Sequence, residues 1–292
     1  MQRPTYQISC CNTSINVGHR TLIMGILNVT PDSFSDGGKY LEPSKAVDHA
    51  LALVDAGADI IDIGGESSRP AGPYGVGADA VSLQEELNRT IPVIRAISSK
   101  VNVPISIDTT KSQVAKQAID SGATIVNDIS ALRFDEHMAD LIATTGAAIV
   151  LMHMQGTPTT MQKNPTYDDV VADISGFLDK QINTAQNSGI SPAQIMIDPG
   201  LGFGKKYSHN IELLARLAQF HNLGYPILTG PSRKQFTAPK SPVQDRLAGT
   251  IASVTLCAQA GAHIIRVHDI AETTQALALT DQIANRNNPE TP

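Results

Sequence analysis

Cysteine is scarce. Cys10, Cys11 and Cys257 are the only three in 292 residues, two of them adjacent. No Cys-x-x-Cys or Cys/His spacing suggests a zinc site, so reduced thiols in a reducing compartment are expected. No stretch is long and apolar enough to cross a bilayer. The opening segment, MQRPTYQISCCNTS, lacks the apolar core of a signal peptide. The expected location is therefore cytoplasmic, with no membrane partner. Basic excess is missing as well: 22 Lys and Arg face 28 Asp and Glu, for a net charge of −6. General binding to nucleic acid is not expected, although a local basic pocket for a phosphorylated substrate remains compatible. Charged residues are only 17%, while the hydrophobic fraction of 41% is enough for a substantial core. No Pro/Gly/Ser-rich linker divides the chain, which reads as one domain over residues 1–292.

What is present is a repeating punctuation. An amphipathic segment ends in glycine and a β-branched run begins, at Gly57, Gly122, Gly146 and Gly261, and more loosely at Gly189 and Gly224. Glycine suits a helix C-cap because it adopts a left-handed backbone without a Cβ clash. Val47, Ala50, Leu51 and Val54 share one helical face, as do Val114, Ala115, Ala118 and Ile119. Ser82 and Glu85 have capping-box spacing, and Pro92 is expected to kink the helix that follows. Eight short apolar runs read as buried strands, at roughly 22–28, 59–64, 103–108, 124–128, 147–152, 194–198, 226–230 and 262–268. Strand and helix alternating eight times predicts an α/β fold, a (β/α)8 TIM barrel. An open doubly wound sheet is the alternative. Residues 5–20, with turn signals at Asn12-Thr13 and Gly18, are expected to form an N-terminal β-hairpin closing one mouth of the barrel.

In such barrels chemistry sits at the C-terminal strand ends. Those ends carry Asn28, Asp62, Glu66, Asp108, Asn127, Asp128, His153, Asp198, Ser232-Arg233-Lys234, Arg266 and His268. Asp108, Asn127 and Asp198 are acceptors suited to a nitrogen-rich heterocycle. Arg69, Lys234, Arg266 and His268 are cationic or can become so, and most follow the last two strands, where barrels often bind phosphate. Asp128 is also readable as a loop brace, His153 as a hydrogen-bonded barrel histidine, and Glu66 as a support for Arg69. His19, His49 and His221 read as surface residues. Three loops are rich in glycine or proline: 28–38 with Phe34 as an apolar tip, 64–70, and 198–205, which lacks the full P-loop pattern. No Ser-His-Asp or Cys-His set is evident.

Taken in order, MGILNVTPDSFSDGG at 24–38, LMHMQG at 151–156, DPGLGFGK at 198–205, SRK at 232–234 and HIIRVHD at 263–269 resemble the dihydropteroate synthases of the folate pathway. The resemblance runs from about Leu22 to about Glu272. It implies a transferase that joins 4-aminobenzoate to (7,8-dihydropterin-6-yl)methyl diphosphate, with Mg2+ as cofactor, sulfonamides as inhibitors and a homodimeric assembly. Asp108, Asn127, Met152, Asp198, Phe203 and Lys234 match its pterin pocket. Asn28 matches the magnesium and diphosphate position, and Ser68, Arg69, Arg266 and His268 match groups around the phosphates. Phe34, Pro70, Phe203, Lys234 and Gln235 match the aminobenzoate surroundings. Asp36 is expected to place negative charge near a cationic methylene, alongside Lys234, Arg266 and His268 as catalytic residues.

Three departures stand out. Gln235 occupies the position where the family usually has serine, and altered affinity for aminobenzoate and sulfonamides is expected. A helix N-terminus there is expected to favour the aminobenzoate anion all the same. Ser68 replaces the usual threonine, and the second loop runs long through Ala71–Ala78. The competing readings are a folate-dependent methyltransferase, a Schiff-base aldolase using Lys234, and a non-catalytic pterin-binding paralogue.

Overall fold

The computed structural model describes residues 3–29, 43–66 and 81–285. The chain opens with an antiparallel hairpin, β1 (Tyr6–Cys10) and β2 (Thr13–Val17). Its two-residue turn is Cys11-Asn12, with Cys11 at φ 54°, the left-handed conformation that tight hairpin loops demand. Thr13, expected in the turn, already opens β2.

Eight parallel strands follow: β3 (Leu22–Asn28), β4 (Ile60–Gly64), β5 (Ile105–Asp108), β6 (Ile125–Asp128), β7 (Ala148–Met152), β8 (Ile195–Asp198), β9 (Leu228–Thr229) and β10 (Ile264–Val267). They are hydrogen-bonded in the order β8-β7-β6-β5-β4-β3-β10-β9. The sheet closes through a parallel bridge between Ile197 and Ile227, with the Ile197 amide donating to the Pro226 carbonyl at 3.0 Å. One helix follows each strand: α1 (Pro43–Asp55), α2 (Leu83–Ile97), α3 (Ser112–Asp120), α4 (Met138–Thr145), α5 (Val170–Asn187), α6 (Tyr207–Ala215), α7 (Leu247–Gln259) and α8 (Ile270–Asn285). The expected (β/α)8 barrel and its hairpin are both present.

The seventh barrel strand is shorter than the expected 226–230. Pro226 has no amide hydrogen, and the Ile227 amide donates to the His263 side chain at 2.9 Å instead of a neighbouring strand. Only two residues are left for the ladder. Nor does Pro92 interrupt α2, which runs unbroken from Leu83 to Ile97. Pro92 and Asn88 both lie on the exposed face, so the Asn88 carbonyl that loses its partner is open to water. The Ser82 side chain caps that helix by accepting from the Glu85 amide. The repeating glycines terminate helices as expected; Gly146 caps α4 at φ 72°.

Strand periodicity sorts the core into two shells. Residues such as Ile61, Ile63, Ile107, Val126, Ile149, Ile197, Ile265 and Val267 face the helices. Alternate residues face the barrel axis, and the lower ones (Leu22, Met24, Ile60, Ile125, Val150, Met196, Leu228, Ile264) pack against Ile8, Cys10 and Val17 of the hairpin. The hairpin thus plugs the N-terminal mouth with apolar side chains. It is tied down by the Cys11 amide, which donates to the Gly146 carbonyl at 2.7 Å, and by His263, whose Nδ1 accepts from Ile227 and whose Nε2 lies 3.0 Å from the Pro4 carbonyl.

Candidate active site

The same alternation continues upward, and the inward positions change character. Above Ile60 stands Asp62, above Ser106 stands Asp108, above Ile125 stands Asn127, above Met196 stands Asp198 and above Ile264 stands Arg266. Register places Asp108 between Gly64 and Asn127, and Met152 beside Asp198. Asn28 Oδ1 and Asp108 Oδ2 flank Gly64, each 3.7 Å from where a Cβ would stand there. Inward polar groups from six strands, four of them ionisable, therefore converge on the C-terminal mouth.

Arg266 is the hub. Its Nε donates to Asp62 Oδ2 at 2.5 Å and its Nη2 to Asp108 Oδ2 at 2.7 Å. Asn127 Nδ2 donates to the same Asp62 oxygen at 3.2 Å. Asp62 is fully buried, and its other oxygen has no protein partner among the described residues. Burial opposes the charge on Arg266, but Asp62 and Asp108 outweigh it and hold the guanidinium protonated. Asp108 is pushed up to about 7, because burial and the nearby Asp62, Glu86 and Asp128 charges overcome the attraction of Arg266. Burial also raises Asp198 against the pull of Lys234 and Lys205; its Oδ1 accepts from the Gly200 amide at 2.7 Å.

Lys234 crosses the glycine-rich loop. Its Nζ donates to the Leu201 carbonyl and lies 4.3 Å from the centre of the Phe203 ring, a cation–π contact. A Cβ on Gly202, at φ 82°, would stand 2.8 Å from Lys234 Cδ, so only glycine lets the lysine lie there. Burial lowers Lys234 to about 7, with Arg266 adding to the effect and Asp198 and Asp108 opposing it. Ser232 pairs with His268: Oγ is 2.9 Å from Nδ1 and accepts from the His268 amide at 3.1 Å. Burial and the neighbouring Arg266, Arg233 and Lys234 cations lower His268 to about 3. Met152 belongs to a small apolar cluster with Ile129, Met154 and Met161, against which Phe203 packs.

Asn28, Asp108, Asn127, Met152, Asp198, Phe203, Lys234, Arg266 and His268 thus gather at the C-terminal mouth. Phe34, Asp36, Ser68, Arg69 and Pro70 lie outside the described residues. Gln235 is exposed and begins a three-residue 3-10 turn, Gln235–Thr237. The expected helix N-terminus is too short to gather a macrodipole. Glu66 pairs with Lys111 at 2.5 Å and accepts from the Val81 amide at 3.3 Å; its expected support of Arg69 lies outside the described residues. Lys111 also reaches the buried Glu86 at 2.6 Å. Asp128 is a brace, accepting from the Ser130 and Leu132 amides at 2.8 and 2.7 Å. His153 is a packed barrel histidine against Phe177, with Lys205 Nζ 3.0 Å from its Nδ1. Arg233 turns away to Asp269. His221 is not a simple surface residue; it is half-buried, and its ring fills the space a side chain on Gly261 would need. The group the sequence undervalued is Asp62, read only as a polar strand end. Its signal was parity with Ile60, which fixes it inward, opposite the equally inward Arg266.

A (β/α)8 barrel with inward acceptors and cations at one mouth defines a class of enzyme, and the chain belongs to it: the family pattern of pterin-binding enzymes matches residues 24–268. The chain is 46% identical over 271 residues to the dihydropteroate synthase of Escherichia coli strain K12, covering 92% of this chain and 93% of that one. The Xanthomonas albilineans dihydropteroate synthase solved with 4-aminobenzoic acid superposes with a TM-score of 0.87 at 40% identity, covering 99% of this chain and 100% of that one. The Yersinia pestis enzyme solved with a sulfonamide drug gives 0.87 at 40% identity, covering 96% and 99%. Within the pterin-binding enzymes, this chain is a member of the dihydropteroate synthase family.

Proposed function

We propose that the chain joins 4-aminobenzoate to (7,8-dihydropterin-6-yl)methyl diphosphate, giving 7,8-dihydropteroate and diphosphate. The observation that carries this reading is the inward belt in which Asp108, Asn127 and Asp198 stand beside Lys234, Arg266 and His268. Acceptors for a pterin edge and donors for phosphate oxygens meet at one mouth. Asp108 and Asp198 accept from pterin N–H groups and Asn127 supplies an amide, while Met152 and Phe203 cover the ring. Arg266 spends its Nε and Nη2 on Asp62 and Asp108. Its Nη1 has no protein partner among the described residues and is free for a diphosphate oxygen, next to Lys234 and His268.

In the chemical step the methylene–oxygen bond to diphosphate breaks and a bond from the arylamine nitrogen to that carbon forms. The nitrogen then gives up one proton, and diphosphate carries away the electron pair of the broken bond. No side-chain nucleophile is required. The protein orients the two substrates and steadies the charge on the departing oxygens. Asp36, Phe34, Ser68, Arg69 and Pro70 complete this reading from the first two loops.

Mg2+ fits the donor set in a particular way. Among the described residues no cluster of three or more His, Cys, Asp or Glu could hold a metal, and Asn28 offers one hard amide oxygen. Mg2+ commonly takes one or two protein ligands and completes its shell with water and substrate phosphate. Bound there, it would neutralise charge on the diphosphate. Homodimerisation through α7 and α8 belongs to the same reading, supported by Leu256, Leu279 and Ile283, which are 50%, 62% and 47% exposed. So does a cytoplasmic location, supported by three free cysteines and by the lack of any membrane-spanning helix among the described residues.

Binding is expected to be ordered, pterin diphosphate first. Titration calorimetry of aminobenzoate into protein loaded with pterin and diphosphate should give heat, and titration into bare protein should not. Tight binding to bare protein rejects the order. Folded protein that makes no dihydropteroate from both substrates with Mg2+ rejects the function.

A further inference from the structure

Ser232 and His268 form a closed pair, of which the reaction scheme uses only His268. Ser232 is buried, at 6% exposure, in the loop after β9. Its Oγ accepts the backbone N–H of His268 at 3.1 Å and lies 2.9 Å from Nδ1 of the same residue. Both ends of one histidine therefore meet one hydroxyl. The next amide, that of Arg233, donates to Thr250 Oγ1 at 2.9 Å and pins the loop. Arg233 at φ 55° then turns the chain, so Ser232 faces His268 while Lys234 crosses to the glycine-rich loop.

The direction of the side-chain bond follows from counting protons. Ser232 has one hydroxyl proton, and Oγ already accepts the His268 amide. If Nδ1 carried the ring proton, Oγ would accept twice and its own buried proton would have no acceptor among the described residues, which is costly. If the hydroxyl donates to Nδ1, both groups are satisfied. The ring proton of neutral His268 then sits on Nε2, which has no protein partner among the described residues. Burial, with the Arg266, Arg233 and Lys234 cations around the ring, disfavours its protonation in the free protein.

We infer that Ser232 is a positioning residue: it locks His268 as the Nε2–H tautomer and leaves that N–H as a neutral hydrogen-bond donor for an oxygen of the departing diphosphate. A neutral donor adds directional hydrogen bonding where Arg266 and Lys234 already supply charge. The inference rests on the reading of His268 as a diphosphate contact, but the tautomer is a property of the free protein and can be measured without turnover.

The test combines imidazole NMR with a mutant cycle. In free wild-type protein, 13C and 15N shifts of the His268 ring, assigned by their loss in His268→Gln, should report Nε2–H. Ser232→Ala should move the population toward Nδ1–H and lower kcat about tenfold, leaving the KM for aminobenzoate unchanged. Ser232→Thr keeps the hydroxyl and should restore both. Gln at 268 presents an amide N–H near the Nε2 position with no tautomer to set, so adding Ser232→Ala to His268→Gln should change kcat by less than about twofold. An Nδ1–H ring in wild-type protein overturns the inference. So does an equal loss from Ser232→Ala in both backgrounds, which would mark Ser232 as a structural support. Lack of turnover in wild type with an Nε2–H ring would instead reject the functional reading.

Discussion

The two mouths of the barrel are built from the same eight strands with the same inward alternation, yet they carry opposite chemistry. At the N-terminal mouth Leu22, Met24, Ile60, Ile125 and Ile264 meet the hairpin residues Ile8, Cys10 and Val17 in a sealed apolar layer. One or two inward steps higher stand Asp62, Asp108, Asn127, Asp198 and Arg266. Burying apolar surface stabilises the fold at roughly 25 cal/mol per Å2. Burying several ionisable groups together opposes it unless each is paired. Burial displaces both Asp108 and Lys234 to about 7, and the second oxygen of Asp62 has no partner among the described residues. The lower mouth holds the barrel together; the upper mouth holds unsatisfied polar groups that a ligand can complete.

The sharpest way to break this comparison is to neutralise the upper mouth. Asp108→Asn should lower kcat/KM for the pterin diphosphate on the order of 10²-fold, through lost charged hydrogen bonds. Its effect on stability should run the other way. The Asp108 pKa is raised from 3.8 to about 7, so the folded state holds this proton more tightly than the unfolded chain. Its stabilising contribution is complete below about pH 4 and lost as pH rises through 7. The variant escapes that loss, so its Tm relative to wild type should climb by a few degrees between pH 5 and 8. A relative Tm that falls over this range would contradict the assignment.

Below, the opposite pattern is expected. Ile8→Ala should cost about 2–4 kcal/mol, on the order of 5–15 °C in Tm, with KM values unchanged; a KM shift without a Tm shift would show that the hairpin is not a mere plug. His263→Ala should cost about 1–3 kcal/mol by leaving the Ile227 amide without its acceptor, again with KM values intact. The smallest effect belongs to Gln235→Ser. An exposed side chain at the rim should alter sulfonamide inhibition by about 3–10-fold, the worth of one hydrogen bond, and leave the KM for the pterin diphosphate alone. Identical inhibition of both proteins would remove Gln235 from the aminobenzoate site.

How much of this was legible in the sequence differs between particular residues. Glycine punctuation and β-branched runs announced eight strands, because a helix C-cap and a doubly buried strand each leave a local signature. Asp108, Asn127, Asp198 and Arg266 were legible as strand ends, where a run of apolar residues stops. Asp62 was harder, since Ile63 follows it and the strand continues to Gly64; its role depends on Arg266, 204 positions away. The Ser232–His268 pair is equally non-local. The Glu66–Lys111 pair was hidden for the same reason: Lys111 comes from the next strand-to-helix loop, and no local rule connects the two. The two-residue β9 was overestimated because nothing near Ile227 reveals that the His263 side chain takes its amide.

The central claim is that the upper mouth transfers the pterinylmethyl group from diphosphate to an arylamine. The most direct measurement is diphosphate release from the pterin diphosphate in Mg2+, with and without 4-aminobenzoate. Release that requires the arylamine, with dihydropteroate formed in equal amount, is the predicted result. Pterin bound by folded protein with no release in either case would contradict the claim and leave a binding protein on a catalytic scaffold.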